Sequence, residues 1–128
     1  MKRVVAYDTV AVPLTAVTSN PIPLSTASTK LSIYVDYTKG TEEGVLISVE
    51  WNDRSSLKWG TVSDFGGATS PGTNTVIPFV GRFSASGTYS FPIPQRLLIQ
   101  GDYRLSMIVD GKNAVSGTVY AVMKTGEY

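Results

Sequence analysis

Two carboxylates, Asp36 and Glu50, are the side chains of this sequence whose spacing could support a reaction. Each occupies a polar position in a segment that alternates apolar and polar residues. In a hairpin that places Tyr37 opposite Ile47, both carboxylates share the outer face, with their backbones about 7 to 8 Å apart. Such a separation is compatible with the two carboxyl groups of a glycosidase. Carboxylates on the solvated face of a sheet more often serve solubility, and we assign that role to this pair.

The residues on which most enzymes depend are missing from the composition. The chain has no histidine and no cysteine, which excludes disulfides, thiolate nucleophiles, the usual zinc sites and every histidine-based triad. Eleven basic and ten acidic residues leave a net charge of +1, which is too small to attract a polyanion. We therefore expect a protein that is not an enzyme, with no catalytic, cofactor-binding or metal-binding residues and no nucleic acid partner.

The glycine-rich segment 64–74 contains the glycines of a phosphate-binding loop. It lacks the lysine that ends such a loop, and no helix pattern follows it. The preferred interpretation is a mobile surface loop, and ordering of this loop against a partner is left open. Asn52, Asp53 and Asp64 supply oxygen atoms, but they lack the regular spacing of a calcium-binding loop.

Aromatic residues offer another kind of site, a platform on which sugar rings stack. The candidates are Trp51, Trp59, Tyr34, Tyr37, Tyr89, Tyr103 and Tyr120. Trp51 shares its parity with the apolar residues of its segment, which favours a place in the core. Trp59 shares its parity with Leu57, so we place it in the core as well, with a partial surface role left open.

The elements that position these residues are predicted to be strands. Valine, isoleucine and threonine are abundant, and 12 glycines and 7 prolines interrupt them, which is an all-β composition. Alternation and turn signals predict strands at residues 31–38, 45–52, 57–63, 75–83, 87–93, 102–110 and 117–124. The first two are expected to form a hairpin with their odd-numbered residues facing the core, because a slip of one residue would bury Asp36 and Glu50.

The last two strands are predicted to form a second hairpin across the Asp110-Gly111 turn signal. The length of the loop decides which residues of the final strand face the core. A two-residue loop selects Thr118, Tyr120 and Val122. A longer loop, which we prefer, selects Val119, Ala121 and Met123. The one helix candidate, residues 95–99, is too short to nucleate well and is expected to be a turn or a 3₁₀ segment.

Seven or eight short strands without crossover helices predict one all-β domain, an antiparallel β-sandwich that resembles a jelly roll. Residues 30–128 form the sandwich, and residues 1–29 form an N-terminal edge strand or arm. Pro21 and Pro23 keep part of that segment extended. We favour an edge strand of the same domain; the alternative is an arm that pairs with the sheet edge of a neighbouring subunit.

The N-terminus begins with Lys2 and Arg3, as a secretory signal does, but Tyr7, Asp8 and Thr9 interrupt the apolar stretch. No apolar run reaches the ~18 to 20 residues that cross a bilayer. We expect neither a signal peptide nor an association with a membrane.

One part of the chain resembles a known class of proteins. Residues 30–42, KLSIYVDYTKGTE, are followed by a strand that ends at Trp51 and by a second tryptophan, Trp59. An alternating strand that ends in Tyr37-Thr38-Lys39-Gly40, an acidic tip at Glu42 and Glu43, and a strand with a terminal aromatic residue are similar to small β-sandwich structural proteins of tailed-bacteriophage virions. The resemblance covers residues 30–63, about a quarter of the chain.

This resemblance implies a non-enzymatic virion component. The expected protein decorates and stabilises a phage capsid by binding across capsomer boundaries, or it is a neck or tail accessory protein. Its partners would be a capsid or other virion protein and further copies of itself, since such modules assemble as trimers or larger rings. The alternative from another functional class is a carbohydrate-binding β-sandwich module, for which the aromatic residues are the motivation.

Overall fold

A computed structural model describes residues 2–24, 30–52, 59–61, 63–64, 77–78, 80–93, 98, 100–111 and 115–126. Within these ranges the chain forms strands, and no helix there is long and apolar enough to cross a membrane. The strands are β1 (Arg3–Ala11), β2 (Val17–Thr18), β3 (Ile22–Leu24), β4 (Lys30–Thr38), β5 (Gly44–Asn52), β6 (Gly60–Thr61), β7 (Ser63–Asp64), β8 (Ile77–Pro78), β9 (Val80–Phe83), β10 (Gly87–Pro92), β11 (Gly101–Asp110) and β12 (Thr118–Gly126).

Ten of the strands form two antiparallel sheets that pack face to face, which confirms the predicted all-β sandwich, and β7 pairs with β8 in a separate two-stranded sheet. Sheet A has the order β1-β12-β4-β10. In sheet B, β11 pairs with β2 and β3 on one side and with β5 on the other, and β5 also pairs with β6 and β9. When β2 and β3 are taken as one position and β9 as the neighbour of β5, this is the strand order of a jelly roll.

The core lies between the sheets and is lined by alternate residues of the long strands. The predicted odd-numbered faces of β4 and β5 are buried, as are the corresponding faces of β11 and β12. The buried residues of these four strands include Leu31, Ile33, Val35, Tyr37, Val45, Ile47, Val49, Tyr103, Leu105, Met107, Val119, Ala121 and Met123. Alternation with a period of two residues thus identified the buried faces correctly.

The predicted hairpin between β4 and β5 is wrong. β4 pairs with β12 and β10 in sheet A, whereas β5 pairs with β11 and β9 in sheet B. Residues 39–43 therefore cross from one sheet to the other. Alternation shows which face of a strand is buried but does not show which strand lies beside it, and two facing sheets bury the same odd-numbered set as a hairpin would.

The second predicted hairpin is wrong for the same reason, since β11 lies in sheet B and β12 in sheet A. Gly111 has a φ of 104°, a left-handed conformation that glycine adopts without strain, so the turn signal marks a real change of direction. The preferred core set of the last strand is nevertheless the buried one. The facing of this strand was predicted correctly and its partner was not.

The N-terminal segment completes the open edges of both sheets. β1 pairs with β12 at the edge of sheet A, and β2 and β3 pair with β11 at the edge of sheet B. Tyr7 is buried, and its hydroxyl lies 2.6 Å from the carbonyl oxygen of Val17 and 3.1 Å from that of Leu105. Burial raises the pKa of Tyr7, with a further contribution from the charge of Glu50. The hydroxyl is therefore a permanent donor that ties β1 to sheet B.

β1 is irregular in its second half. Its register against β12 shifts on both sides of Tyr7, and Thr9 has a φ of 51°. A non-glycine residue in this region belongs to a bulge, which bends an edge strand and makes it a poorer template for pairing with another chain.

Several predicted features lie wholly or partly outside the described residues. They are the glycine-rich segment after Asp64, residues 57, 58 and 62 of the predicted strand at 57–63, residues 75, 76 and 79 of that at 75–83, and all of the helix candidate at 95–99 except Leu98.

The alternation of β4 predicts that two neighbouring truncations change the stability by very different amounts. Ile33→Ala removes a fully buried side chain from the core and is expected to lower the free energy of unfolding by about 2 to 5 kcal/mol. Ser32→Ala, on the outer face, is expected to change it by less than about 0.5 kcal/mol. Urea denaturation of both variants and the wild type measures the difference, and equal losses would contradict the assignment of faces.

Candidate functional site

The structure does not bring the predicted carboxylates together. Asp36 lies on the exposed outer face of sheet A, opposite Thr88 on one side and Tyr120 on the other. Glu50 lies on the outer face of sheet B, where it accepts a hydrogen bond from Arg104 Nε at 2.7 Å. The core separates the two carboxylates, so the hypothesis of a glycosidase pair lacks its geometry. The two carboxylates were expected to lie close together only because β4 and β5 were expected to form a hairpin.

The two tryptophans do not form a common platform with the tyrosines. Trp51 is half-buried against the core, and its Nε1 donates to the carbonyl oxygen of Gln100 at 3.3 Å. Trp59 is also half-buried, and the guanidinium carbon of Arg104 lies 4.1 Å from the centre of its ring. Trp59 therefore has the partial surface role that the sequence left open, as a partner of the cation in the Glu50 ion pair.

Of the residues considered for calcium, Asn52 is the one whose side chain the structure describes. Asn52 is buried, and Asp53 lies outside the described residues. Among the described residues, no group of three or more acidic side chains is arranged to hold a metal ion.

Glu42, which the sequence places in an acidic tip between two strands, is a buried residue. Its exposed fraction is 1%, whereas Glu43 beside it is exposed. The carboxylate accepts hydrogen bonds from the hydroxyl of Tyr37 at 2.6 Å and from the backbone N–H groups of Gly40, Ser116 and Gly117 at 2.7, 3.1 and 2.8 Å. Glu42 is buried because the tip is a crossing between sheets, which lies against a second crossing.

The hydrogen bonds decide the charge of Glu42. Burial alone would raise the pKa of its carboxyl group, but the four donors together outweigh burial and lower the pKa to about 2. The pKa of Tyr37 is raised by burial and by its hydrogen bond to Glu42. Glu42 is thus a permanent carboxylate whose oxygens are fully engaged, which suits a structural role and not proton transfer.

Glu42 joins two separate parts of the chain. Gly40 belongs to the crossing between β4 and β5, and residues 116 and 117 end the crossing between β11 and β12. Gly117 packs so closely that a Cβ atom there would overlap the Glu42 carboxylate and the backbone oxygen of Thr38. No pattern in the sequence points to this cluster, because two of the donors lie 74 and 75 residues away along the chain.

A shallow cleft opens on the outer face of sheet A, with a volume of about 280 Å³. It is lined by Arg3, Tyr34, Tyr120, Val122 and Lys124. The rings of Tyr34 and Tyr120 meet edge to face, with centroids 6.5 Å apart and an angle of 77° between the planes. Arg3 Nη2 donates to the hydroxyl of Tyr120 at 3.0 Å. Of the seven aromatic candidates, these two tyrosines are the ones that share an accessible surface.

Glu42 predicts a specific dependence of stability on pH. Its pKa lies near 4.5 when the chain is unfolded and near 2 in the folded state, so the stabilisation is complete above pH 4.5 and is lost as the pH falls towards 2. The size is about 3 kcal/mol. The free energy of unfolding of the wild type should fall by this amount relative to Glu42→Gln between pH 6 and 2. Glu43→Gln alters a neighbouring carboxylate that takes no part in the hydrogen bonds to Glu42 and should retain the loss at low pH. Parallel curves for the wild type and Glu42→Gln would contradict the assignment.

Tyr37→Phe should weaken the hydrogen bonding around Glu42 while an aromatic ring remains in the core. The carboxylate loses one donor, and hydrogen bonds to charged groups contribute about 1.5 to 3 kcal/mol. The acid transition is expected to move to higher pH, because the pKa of Glu42 rises towards its ordinary value. Tyr89→Phe is the control, since that hydroxyl donates to the carbonyl oxygen of Ala85 at an exposed site. Acid titrations of both variants, followed by circular dichroism, make the comparison; if the two acid transitions coincide, the proposed role of Tyr37 is incorrect.

No protein-family model matches the chain, and no curated protein matches it. Among solved structures, a chain of the "Structure of infectious bursal disease virus Gx strain" is similar, with a TM-score of 0.54 and 10% sequence identity. The match covers 99% of this chain and 32% of that chain. At this level of identity the similarity concerns the fold, and it shows that the whole described sandwich has a counterpart inside a larger viral chain.

Proposed function

We propose that the protein is a non-enzymatic structural component of a virus particle. The observation that carries the proposal is the jelly-roll fold, which 99% of the chain shares with part of a chain in a virus structure. The resemblance of residues 30–63 to virion proteins of tailed bacteriophages supports the same class independently. The more specific form of the proposal is a protein that decorates a phage capsid, contacts capsid subunits and further copies of itself, and stabilises the particle.

A decorating protein must resist forces between its contact surfaces, and the buried polar contacts suit this task. The Tyr7 hydroxyl links sheet A to backbone atoms in sheet B, and Glu42 links the two crossings between the sheets. Because both links are shielded from water, water does not compete for these hydrogen bonds while the sheets stay together. The domain can then act as a rigid body, and many weak contacts around a particle add up through multivalency.

The crossing between β1 and β2 is our candidate for the contact with the particle. Leu14 and Val17 are exposed to 62% and 45%. Apolar side chains of this kind anchor the centres of protein interfaces when a partner removes them from water. A capsid surface that covers both side chains would use an edge of sheet B and leave the outer faces of both sheets accessible.

The test uses particles that lack the protein, to which purified protein is added back. We expect saturable binding at a fixed ratio to the capsid subunit and a higher melting temperature of the particles. A Leu14→Ser, Val17→Ser double variant should bind at least about tenfold more weakly, which corresponds to about 1.4 kcal/mol, while its own unfolding stays within about 0.5 kcal/mol of the wild type. Thr88→Ala is the surface control, because Thr88 is exposed on β10, at the edge of sheet A farthest from β1.

Binding without a fixed ratio, or particles whose melting is unchanged at saturation, would contradict the decorating role. Normal binding of the double variant would contradict only the proposed contact. Sedimentation equilibrium of the free protein tests the expected self-association separately, and a monomer at every concentration would contradict that self-association.

A further inference from the structure

We propose that the cleft on the outer face of sheet A binds an acidic sugar, that is, a sugar residue that carries a carboxylate. This inference goes beyond the structural role in a particle and does not depend on it. It rests on three observations about the five residues that line the cleft. The floor is a buried apolar side chain, two walls are aromatic, and two cationic side chains lie opposite each other on neighbouring strands.

The floor of the cleft is a buried side chain outside the core. Val122 lies on the outer side of β12, opposite Tyr34 on β4 and Val5 on β1. Its exposed fraction is nevertheless 2%, and it is not part of the cluster between the sheets. The long side chains around it have therefore formed a small separate packed unit on the solvent side of the sheet.

The walls suit a sugar ring. The ring planes of Tyr34 and Tyr120 meet at an angle of 77°. A sugar ring that packs against the face of one tyrosine therefore lies beside the edge of the other. Tyrosine combines an apolar ring with a polar hydroxyl, which matches the apolar face and the hydroxyl rim of a sugar. A volume of about 280 Å³ suits one sugar residue better than a folded peptide segment, since pockets for larger ligands extend from about 300 to 1,000 Å³.

The charges select an acid. Arg3 and Lys124 are direct partners in the β1–β12 ladder, and like charges in this position repel each other. A carboxylate between them would convert this repulsion into attraction. The hydrogen bond from Arg3 to Tyr120 fixes the guanidinium group beside the aromatic wall, and the group retains further N–H donors for a bidentate contact with a carboxylate.

An acidic side chain lies beyond the Tyr120 end of the cleft. Asp36 faces Tyr120 across the β4–β12 ladder, four residues along β12 from Lys124, a distance of about 13 Å. A carboxylate accepts hydrogen bonds from sugar hydroxyls and repels a second anion. The surface is thus cationic at one end and acidic at the other, which favours a ligand with one anionic group and several hydroxyls over a polyanion.

The test is a titration of isotope-labelled protein followed by amide chemical shifts. The probes are N-acetylneuraminic acid and glucuronate, with N-acetylglucosamine and glucose as neutral sugars and acetate as an anion without a ring. We expect saturable shifts at Tyr34, Tyr120 and Val122 with the acidic sugars. Affinities for the neutral sugars and for acetate should be at least about tenfold lower, because each lacks one of the two kinds of contact.

Variants separate the contributions of charge and ring. Arg3→Gln with Lys124→Gln should abolish the preference for acidic over neutral sugars, whereas Tyr120→Leu should weaken the binding of all of them. Arg82→Gln removes an exposed cation paired with Asp110, away from the cleft, and should change nothing. Equal affinity for acetate, equal affinity for neutral sugars, tighter binding of a polyglutamate peptide at the same amides, or an absence of shifts at these residues would each overturn the proposal.

Discussion

The arrangement of the sandwich depends on how its crossings between sheets are held. In this jelly roll β4 and β5 lie in opposite sheets, as do β11 and β12, so the chain leaves one layer and enters the other repeatedly. Each crossing exposes backbone N–H groups that no ladder satisfies. The buried carboxylate of Glu42 accepts hydrogen bonds from such N–H groups in two crossings at once. A neutral side chain of similar size would offer fewer acceptors, and a crossing of different shape would leave the charge without donors.

The sequence determined which faces are buried but left the partners of each strand open. In β4 and β5 the odd-numbered apolar residues predicted the core correctly, since burial of one face imposes a period of two residues on any strand. Pairing depends on contacts across long sequence separations, as between β4 and β12, and alternation carries no information about them. The expectation that strands joined by a short loop form a hairpin failed at both crossings. A short loop with turn residues can join two sheets as well as two adjacent strands.

The residues that matter at the two sites lie far apart in the sequence. Arg3 and Lys124 come together because the first and last strands pair at the edge of sheet A. The stacking platform considered from the sequence contained Tyr34 and Tyr120, but seven aromatic residues allowed many combinations, and only the topology selects this pair. Asp36 and Glu50 show the converse, since their closeness along the sequence was misleading once a crossing separated their sheets.

The inner contacts and the outer cleft use the same strands for different purposes. β12 is held by ladders to β1 and β4 on its two sides, and its odd-numbered residues are fixed in the core. The outward side chains at 120, 122 and 124 are therefore presented from a backbone that has little freedom to move. A site built on such a strand needs no lid to form, because packing on one face has already set the geometry of the other. In this sense the buried charge of Glu42, which lies close to the point where β12 begins, also supports the surface that we propose to bind sugar.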